Sequence, residues 1–561
     1  MATFTVANTN NSGAGSLRQA VLDANALTGK DIINFGGLFN DGLAHTISLT
    51  GSSLSITDDI TIQGTNPNLL TISDDSASRV FDIASGATAT INGLTITNTY
   101  NSGTSSANGA TGGGGILNKG VLTLSNTIIT GNTANGVYVY STGIISNFDN
   151  RFIIGNTSPA GDGAGIYNSG TLTINNSTIA GNKSYNGEDS EGEGGGIYNS
   201  GILTVNYSSI TDNLAGGDRY RDHGSSGGGI YNTGTLTLKG GDISNNNSTS
   251  EGGGIYNTGN SSLTVSNIII NGNTASEGGG GIASVGNLIV NYSTISDNKS
   301  RQGGGIESIF YSFDIIGNVP VKYSSITVNY SSISDNTVFG GGGGIASVGN
   351  LIVNYSTING NTASGGGGIS SFGSLTVNHS SITDNTANNT YSAFYGIYGG
   401  GGVILNDDFF VNINHSSISG NTAVTGGGGI YNKIGSIYNN IGVLTVSDST
   451  ISGNQAHFGG GIYNEGTLTV GNSTIKHNKA FGIELSSGSY ESGDGGGIYN
   501  NSTYGTTTVD YSTIACNFDI PLEDSTKVIK HDDVAGKFIN KGHNWIGATT
   551  FTTAAGDAVI F

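Results

Sequence analysis

The chain is poor in the residues that staple, kink or positively charge a protein. One cysteine in 561 residues can form no internal disulfide, and no CxxC zinc pattern exists. Proline occurs only 4 times beside 96 glycines, and glycine is not spaced at every third place, which excludes a collagen-like triple helix. Positive charge is scarce: 19 Lys and Arg stand against 39 Asp and Glu, a formal charge of −20. With no basic run, such a chain is repelled by phosphate backbones, and nucleic acid is not an expected partner. No run of 18 or more apolar residues occurs, so no transmembrane segment is expected. The opening Met-Ala-Thr-Phe-Thr-Val-Ala-Asn enters strand-like sequence without a basic n-region or an apolar h-region, so an export signal is expected either to have been removed or to lie elsewhere. Disorder is not expected either, because Ile, Val, Leu, Tyr and Phe recur at regular places.

What the chain has instead is a repeat. Gly-Gly-Gly-Ile, or a close variant, ends at Ile116, Ile166, Ile197, Ile230, Ile255, Ile282, Ile306, Ile345, Ile369, Ile430, Ile462 and Ile498, with a looser copy through Gly402, Val403 and Ile404. The shortest interval is 24 residues, and longer ones are that unit plus an insertion. In the unit IASVGNLIVNYSTISDN, apolar residues fall at Ile282, at Leu288 and Val290, and at Ile295, separated by turn residues. Three short strands in about 24 residues bury nothing alone; stacked on their own copies, each pairing in parallel one coil away, they do. The expected fold is all-β: a right-handed parallel β-helix. Propeller signatures, LxxLxL repeats and the six-residue period of left-handed helices are all missing.

The glycine runs are expected to supply positive φ and close backbone approach at one corner. Asn118, Asn168, Asn199, Asn232, Asn257, Asn432, Asn464 and Asn500 sit two places after the Ile, positioned for a structural amide ladder. A second Asn column, including Asn132, Asn182, Asn213, Asn273, Asn298, Asn336, Asn361, Asn385, Asn421 and Asn454, closes the third strand. At the N-terminus, GSLRQAVLDAN places Leu17, Ala20, Val21 and Ala24 at helical spacing behind a Ser16 N-cap, as an amphipathic cap over the open end. The expected organisation is 1–110 as cap and first coils, 111–520 as the repeat, and 521–561, with Trp545, as a last coil or C-terminal cap.

The opening TFTVANTNNSGAGSLRQAVLDAN and the units after it, of the type GGGIYNSGTLTINNSTIAGN, resemble a class of bacterial proteins. These are the cyanobacterial-type surface right-handed β-helix proteins that open with an SLREA-like segment. The GGGI…GNTA units are also similar to the GGAI and FxxN repeats of chlamydial polymorphic membrane proteins, with IxxN mostly replacing FxxN here. The resemblance covers nearly the whole chain. It implies an extracellular, cell-surface structural or adhesive rod that self-associates or meets a surface polysaccharide or protein. The competing expectation is a carbohydrate-active β-helix enzyme of polysaccharide lyase or hydrolase type.

Catalysis of that kind needs clustered carboxylates and a basic partner. The carboxylate pairs Asp58/Asp59, Asp74/Asp75, Asp407/Asp408 and Asp532/Asp533 lie far apart, and only the last has a neighbouring His531, so no catalytic residue is assigned. The loop GEDSEGE gathers Glu188, Asp189, Glu191 and Glu193; one coil on lie Arg219 and Arg221. The expectations there are an inter-loop ion-pair cluster, solvated loops, or a hard-cation site with calcium as the candidate and no other cofactor. Tyrosine, with 25 copies, forms two columns. Tyr167, Tyr198, Tyr231 and Tyr256 follow the inward Ile and resume at Tyr431, Tyr463 and Tyr499 after Ala283, Glu307, Ala346 and Ser370. Tyr207, Tyr292, Tyr330 and Tyr355, continued by His379 and His415, follow the middle strand. Both columns are expected to point outward, either as stacked rings that stabilise strand pairing or as an aromatic platform for sugars or protein. Cys516 is expected to be only a small corner residue.

Overall fold

The computed structural model describes residues 1–74, 80–98, 116–130, 139–141, 144–149, 152–154, 156–158, 162–185, 192–216, 224–258, 261–309, 324–388, 404–407, 410–433, 442–484, 490–491, 493–501, 505–520, 533–536, 538–547 and 549–550. It is a right-handed parallel β-helix, and the chain divides into two compact units, Met1–Ser276 and Glu277–Phe561. The expected boundary at 110/111 and the segment 521–532 lie outside the described residues.

One coil of the second unit shows how the repeat folds. Its strands are Ile369–Phe372, Leu375–Asn378, Ser381–Thr383 and Thr386–Ala387. Each pairs in parallel with the coil before it, in a register that sets like on like: Ile345↔Ile369, Leu351↔Leu375, Val353↔Val377, Ile358↔Ile382 and Ala363↔Ala387. The period-2 alternation sends these residues inward, where all ten are 0% exposed. A β-branched or Leu side chain therefore packs on its own equivalent one strand spacing away, and the core is a set of aliphatic columns. The sequence reading has three strands per coil. The structure adds a fourth, two residues long, after the buried Asn; so short a segment carries no visible period.

The helix Leu17–Asn25 buries Leu17, Ala20, Val21 and Ala24. The Ser16 hydroxyl accepts the Gln19 N–H at 3.2 Å, satisfying one of the amides that a helix start leaves unpaired. It lies against strands Thr3–Val6, Asp31–Phe35, Leu54–Ile56 and Ile60–Gln63 and covers the apolar end of the first coils.

Two buried amide columns hold successive coils together. In the first unit Asn168 donates to Asn199 (2.7 Å), Asn199 to Asn232 (2.6 Å) and Asn232 to Asn257 (2.7 Å). The other column runs Asn156–Asn182–Asn213–Asn246–Asn273 in the first unit. In the second unit it runs from Asn298 through Asn336, Asn361, Asn385, Asn421, Asn454 and Asn478 to Asn517, and ends on Asp533. The glycine before each inward Ile faces this column across the coil. A Cβ on Gly344 would meet the Asn361 amide at 3.2 Å, and one on Gly368 the Asn385 amide at 3.3 Å. Three residues before the Ile, Gly366 turns the chain at φ +59°, a conformation that side chains resist.

Candidate functional site

The corner after the middle strand is built by a recurring Asn-Tyr/His-Ser triplet. Its serine is buried and closes the turn: Ser356 accepts the Ser331 N–H at 3.1 Å and donates to the Asn354 carbonyl at 2.7 Å. Ser293, Ser331, Ser380 and Ser416 accept or donate in the same pattern. This tight bend drives the residue between Asn and Ser into the left-handed region, with φ of 50° at Tyr292, Tyr330 and His379, 49° at Tyr355 and 48° at His415. Left-handed backbone costs a non-glycine residue roughly 1–2 kcal/mol. The rings recover part of this by stacking outside the coil: Tyr292–Tyr330 5.0 Å, Tyr330–Tyr355 4.9 Å, Tyr355–His379 4.7 Å and His379–His415 4.8 Å between centroids.

Beside the rings runs a third amide column, built from the Asn that opens each of these turns. Asn329 donates to Asn291 (2.9 Å), Asn354 to Asn329 (2.9 Å), Asn378 to Asn354 (3.0 Å) and Asn414 to Asn378 (3.1 Å). The recurrent Asn before each Tyr or His was the available signal. Asn329, Tyr330, Asn354, Tyr355, Asn378 and His379 line an open groove of about 370 Å³.

The two tyrosine columns differ. Tyr292, Tyr330 and Tyr355 are 60%, 50% and 49% exposed. Tyr167, Tyr198 and Tyr231 are only partly exposed, and Tyr256 is 5% exposed, so this column is not the open outward face expected for it. Tyr167–Tyr198 and Tyr198–Tyr231 stack at 4.8 and 5.2 Å and Tyr231–Tyr256 is tilted at 5.1 Å, but a glycine turn also lies against Tyr198: a Cβ on Gly163 of the coil before would stand 3.0 Å from the Tyr198 Cβ. Burial, and then the nearby Asp162 carboxylate, pushes the Tyr198 phenol up to about 12. Tyr463 is likewise pushed up to about 12 by burial and the Glu465 carboxylate. Tyr207 is exposed, and its ring lies over Gly240 of the following coil rather than over another ring.

Of the acidic candidates only some are described, and among the described residues they are not brought together. Glu188, Asp189, Glu191, Arg219 and Arg221 lie outside the described residues. Glu193 accepts the Ser226 N–H at 2.5 Å, and its own N–H donates to Asp162 at 3.1 Å. Asp58 accepts the backbone N–H groups of Gly29 and Asp59. Asp74 is buried, and Asp533 accepts both the N–H and the amide of Asn517 (2.8 and 2.7 Å). Asp75, Asp408, His531 and Asp532, the Asp407 side chain, Asn132, and Gly402 and Val403 fall outside the described residues. Among the described residues no three His, Cys, Asp or Glu converge as metal ligands, and no helix is long and apolar enough to cross a membrane. Cys516 is exposed at φ +60°, a position where Gly453 and Gly420 stand two and three coils earlier.

No curated protein matches the chain. Among solved structures it is similar to the A-module of mannuronan C-5 epimerase AlgE6 from Azotobacter vinelandii, at 12% identity and TM-score 0.29, covering 84% of this chain and 98% of that one. The AlgE4 A-module of the same organism matches at 10% identity and TM-score 0.23, covering 97% and 100%. The catalytic unit of a thermostable GH87 α-1,3-glucanase from Streptomyces thermodiastaticus strain HF3-3 matches at 12% and 0.24, covering 98% and 69%. Residues 415–433 and 448–465 match the Chlamydia polymorphic membrane protein repeat. Each matched stretch runs from the left-handed corner, His415 or Asp448, through the buried Asn and the glycine turn to the Asn after the inward Ile, so the repeat of this chain is similar to that repeat in its structural parts.

Proposed function

We propose that this chain is a structural and adhesive β-helix displayed on the outside of a bacterial cell. The observation that carries the reading is the exposed row Tyr292–Tyr330–Tyr355–His379–His415, set beside a continuous amide row on a frame bonded from coil to coil. Such a frame spends its polar side chains on holding its own shape and keeps one aromatic strip for contact. The similarity of 415–433 and 448–465 to a polymorphic membrane protein repeat supports display at the surface. The flanks support side-by-side assembly into fibrils or a surface layer, since few charges interrupt them.

Electron microscopy of intact cells with an antibody to this chain tests the reading, with label on the outer surface as the expected result. Release of unsaturated or reducing sugar from a polysaccharide panel by the purified chain would overturn it in favour of an enzyme.

A further inference from the structure

We propose that the Tyr292–His415 row and the Asn291–Asn414 row together bind an uncharged, extended polysaccharide lying along the coil axis. The proposal rests on the adhesive reading above and supplies its ligand. Three observations select that class.

The first is the amide accounting. An Asn side chain has two N–H donors and two acceptor lone pairs. In the column Asn329, Asn354 and Asn378 each donate once to the coil before and accept once from the coil after. One donor and one acceptor per coil are left for a ligand, and both belong to a partly exposed residue. Hydroxyl groups, which donate and accept at one atom, fit such a row.

The second is charge. Neither row holds a carboxylate, a lysine or an arginine between residues 291 and 415. The strip has no permanently charged group to pair with an acidic polymer, and the net charge of −20 repels one.

The third is the period. The ring centroids repeat every 4.7–5.0 Å over five coils. An extended peptide repeats on one side every two residues, about 6.8 Å, and loses phase with the strip within two coils. An extended β-1,4-linked pyranose chain advances by close to one coil per sugar; alternate sugars are turned over, but each carries hydroxyl groups on both edges, so every sugar brings hydroxyls to the Asn-Tyr/His pair of one coil. Because the rings cover one another's faces, they offer edges, phenol hydroxyls and imidazole nitrogens. Recognition is therefore by hydrogen bonds along the strip, not by sugars laid flat on single rings.

The test is isothermal titration of the full chain with β-1,4-linked glucose and N-acetylglucosamine oligomers of increasing length. Affinity should rise with length and level off once the oligomer spans the five-coil strip. Tyr355→Ser and Asn354→Ala should each weaken the longest oligomer by about tenfold or more. Circular dichroism melts of both variants check that the coils remain folded. Helical α-1,4-glucan and polyuronate should not bind. Equal affinity for short and long oligomers, indifference to both substitutions, or no binding to any extended neutral glycan would overturn the proposal. So would self-association abolished by Tyr355→Ser with no sugar bound, which would make the strip a contact between copies. Surface label on cells without glycan binding would reject this ligand and leave the adhesive reading standing.

Discussion

At the scale of single residues, stability rests on side chains bonded to the coil on either side. Asn361 accepts from the N–H and amide of Asn336 and donates to Asn385 and to the carbonyls of Ile333 and Asn359, all at 2.9–3.1 Å. Asn361→Ala strands several of these buried groups, and each unsatisfied one costs roughly 1–3 kcal/mol. We expect a loss of about 3 kcal/mol or more, read from denaturant unfolding; a loss under about 1 kcal/mol would show that water or neighbouring groups replace the amide. Cys516 tests the backbone in the same way. It holds φ +60°, so Cys516→Gly relieves left-handed strain but loosens the unfolded chain, and these terms nearly cancel. Cys516→Val keeps the strain and adds a branched Cβ that the left-handed region tolerates worst, so it should melt below both the parent and Cys516→Gly. Equal melting of the two variants would refute this account.

At the scale of the element, the two tyrosine columns do different work. The column Tyr167–Tyr198–Tyr231–Tyr256 is partly to wholly buried, with Tyr198 against the Gly163 turn, and belongs to the fold. Burial raises the Tyr198 and Tyr463 phenols from 10.0 to about 12, so the folded state favours their neutral form. That stabilisation is complete below pH 10 and is lost as pH rises from 10 to 12, where the unfolded phenols ionise first. The double variant Tyr198→Phe, Tyr463→Phe should unfold at higher alkaline pH than the parent, followed by circular dichroism. A midpoint that does not move would mean that other groups govern alkaline unfolding.

At the scale of the whole molecule, charge opposes contact between copies. The helix Leu17–Asn25 covers the apolar end of the first coils, where open strand edges would otherwise template pairing. The formal charge of −20 repels a second copy at low salt, and screening shortens that repulsion to about 8–10 Å near physiological ionic strength. Sedimentation should find monomers at low salt and larger species at high salt or with divalent cations. A monomer at every ionic strength would count against side-by-side assembly.

Much of this was legible in the amino-acid order. Parallel stacking places each residue beside its own equivalent, so a repeat in sequence becomes a repeat of contacts, and Ile369 on Ile345 needs nothing further to be foreseen. The helix at Leu17–Asn25 was legible for the same kind of reason, since its apolar spacing and its Ser16 cap are local. What the tertiary structure decided is which of two similar tyrosine columns is open. Tyr198 and Tyr330 both follow a strand residue in a regular repeat, yet one lies under the glycine turn of the coil before it and the other projects from a left-handed corner. The third amide row was hidden for a related reason: the bond between Asn354 and Asn329 joins residues 25 apart. Covering atoms and bonding partners come from neighbouring coils, so exposure is a property of the stack, and no single repeat contains it.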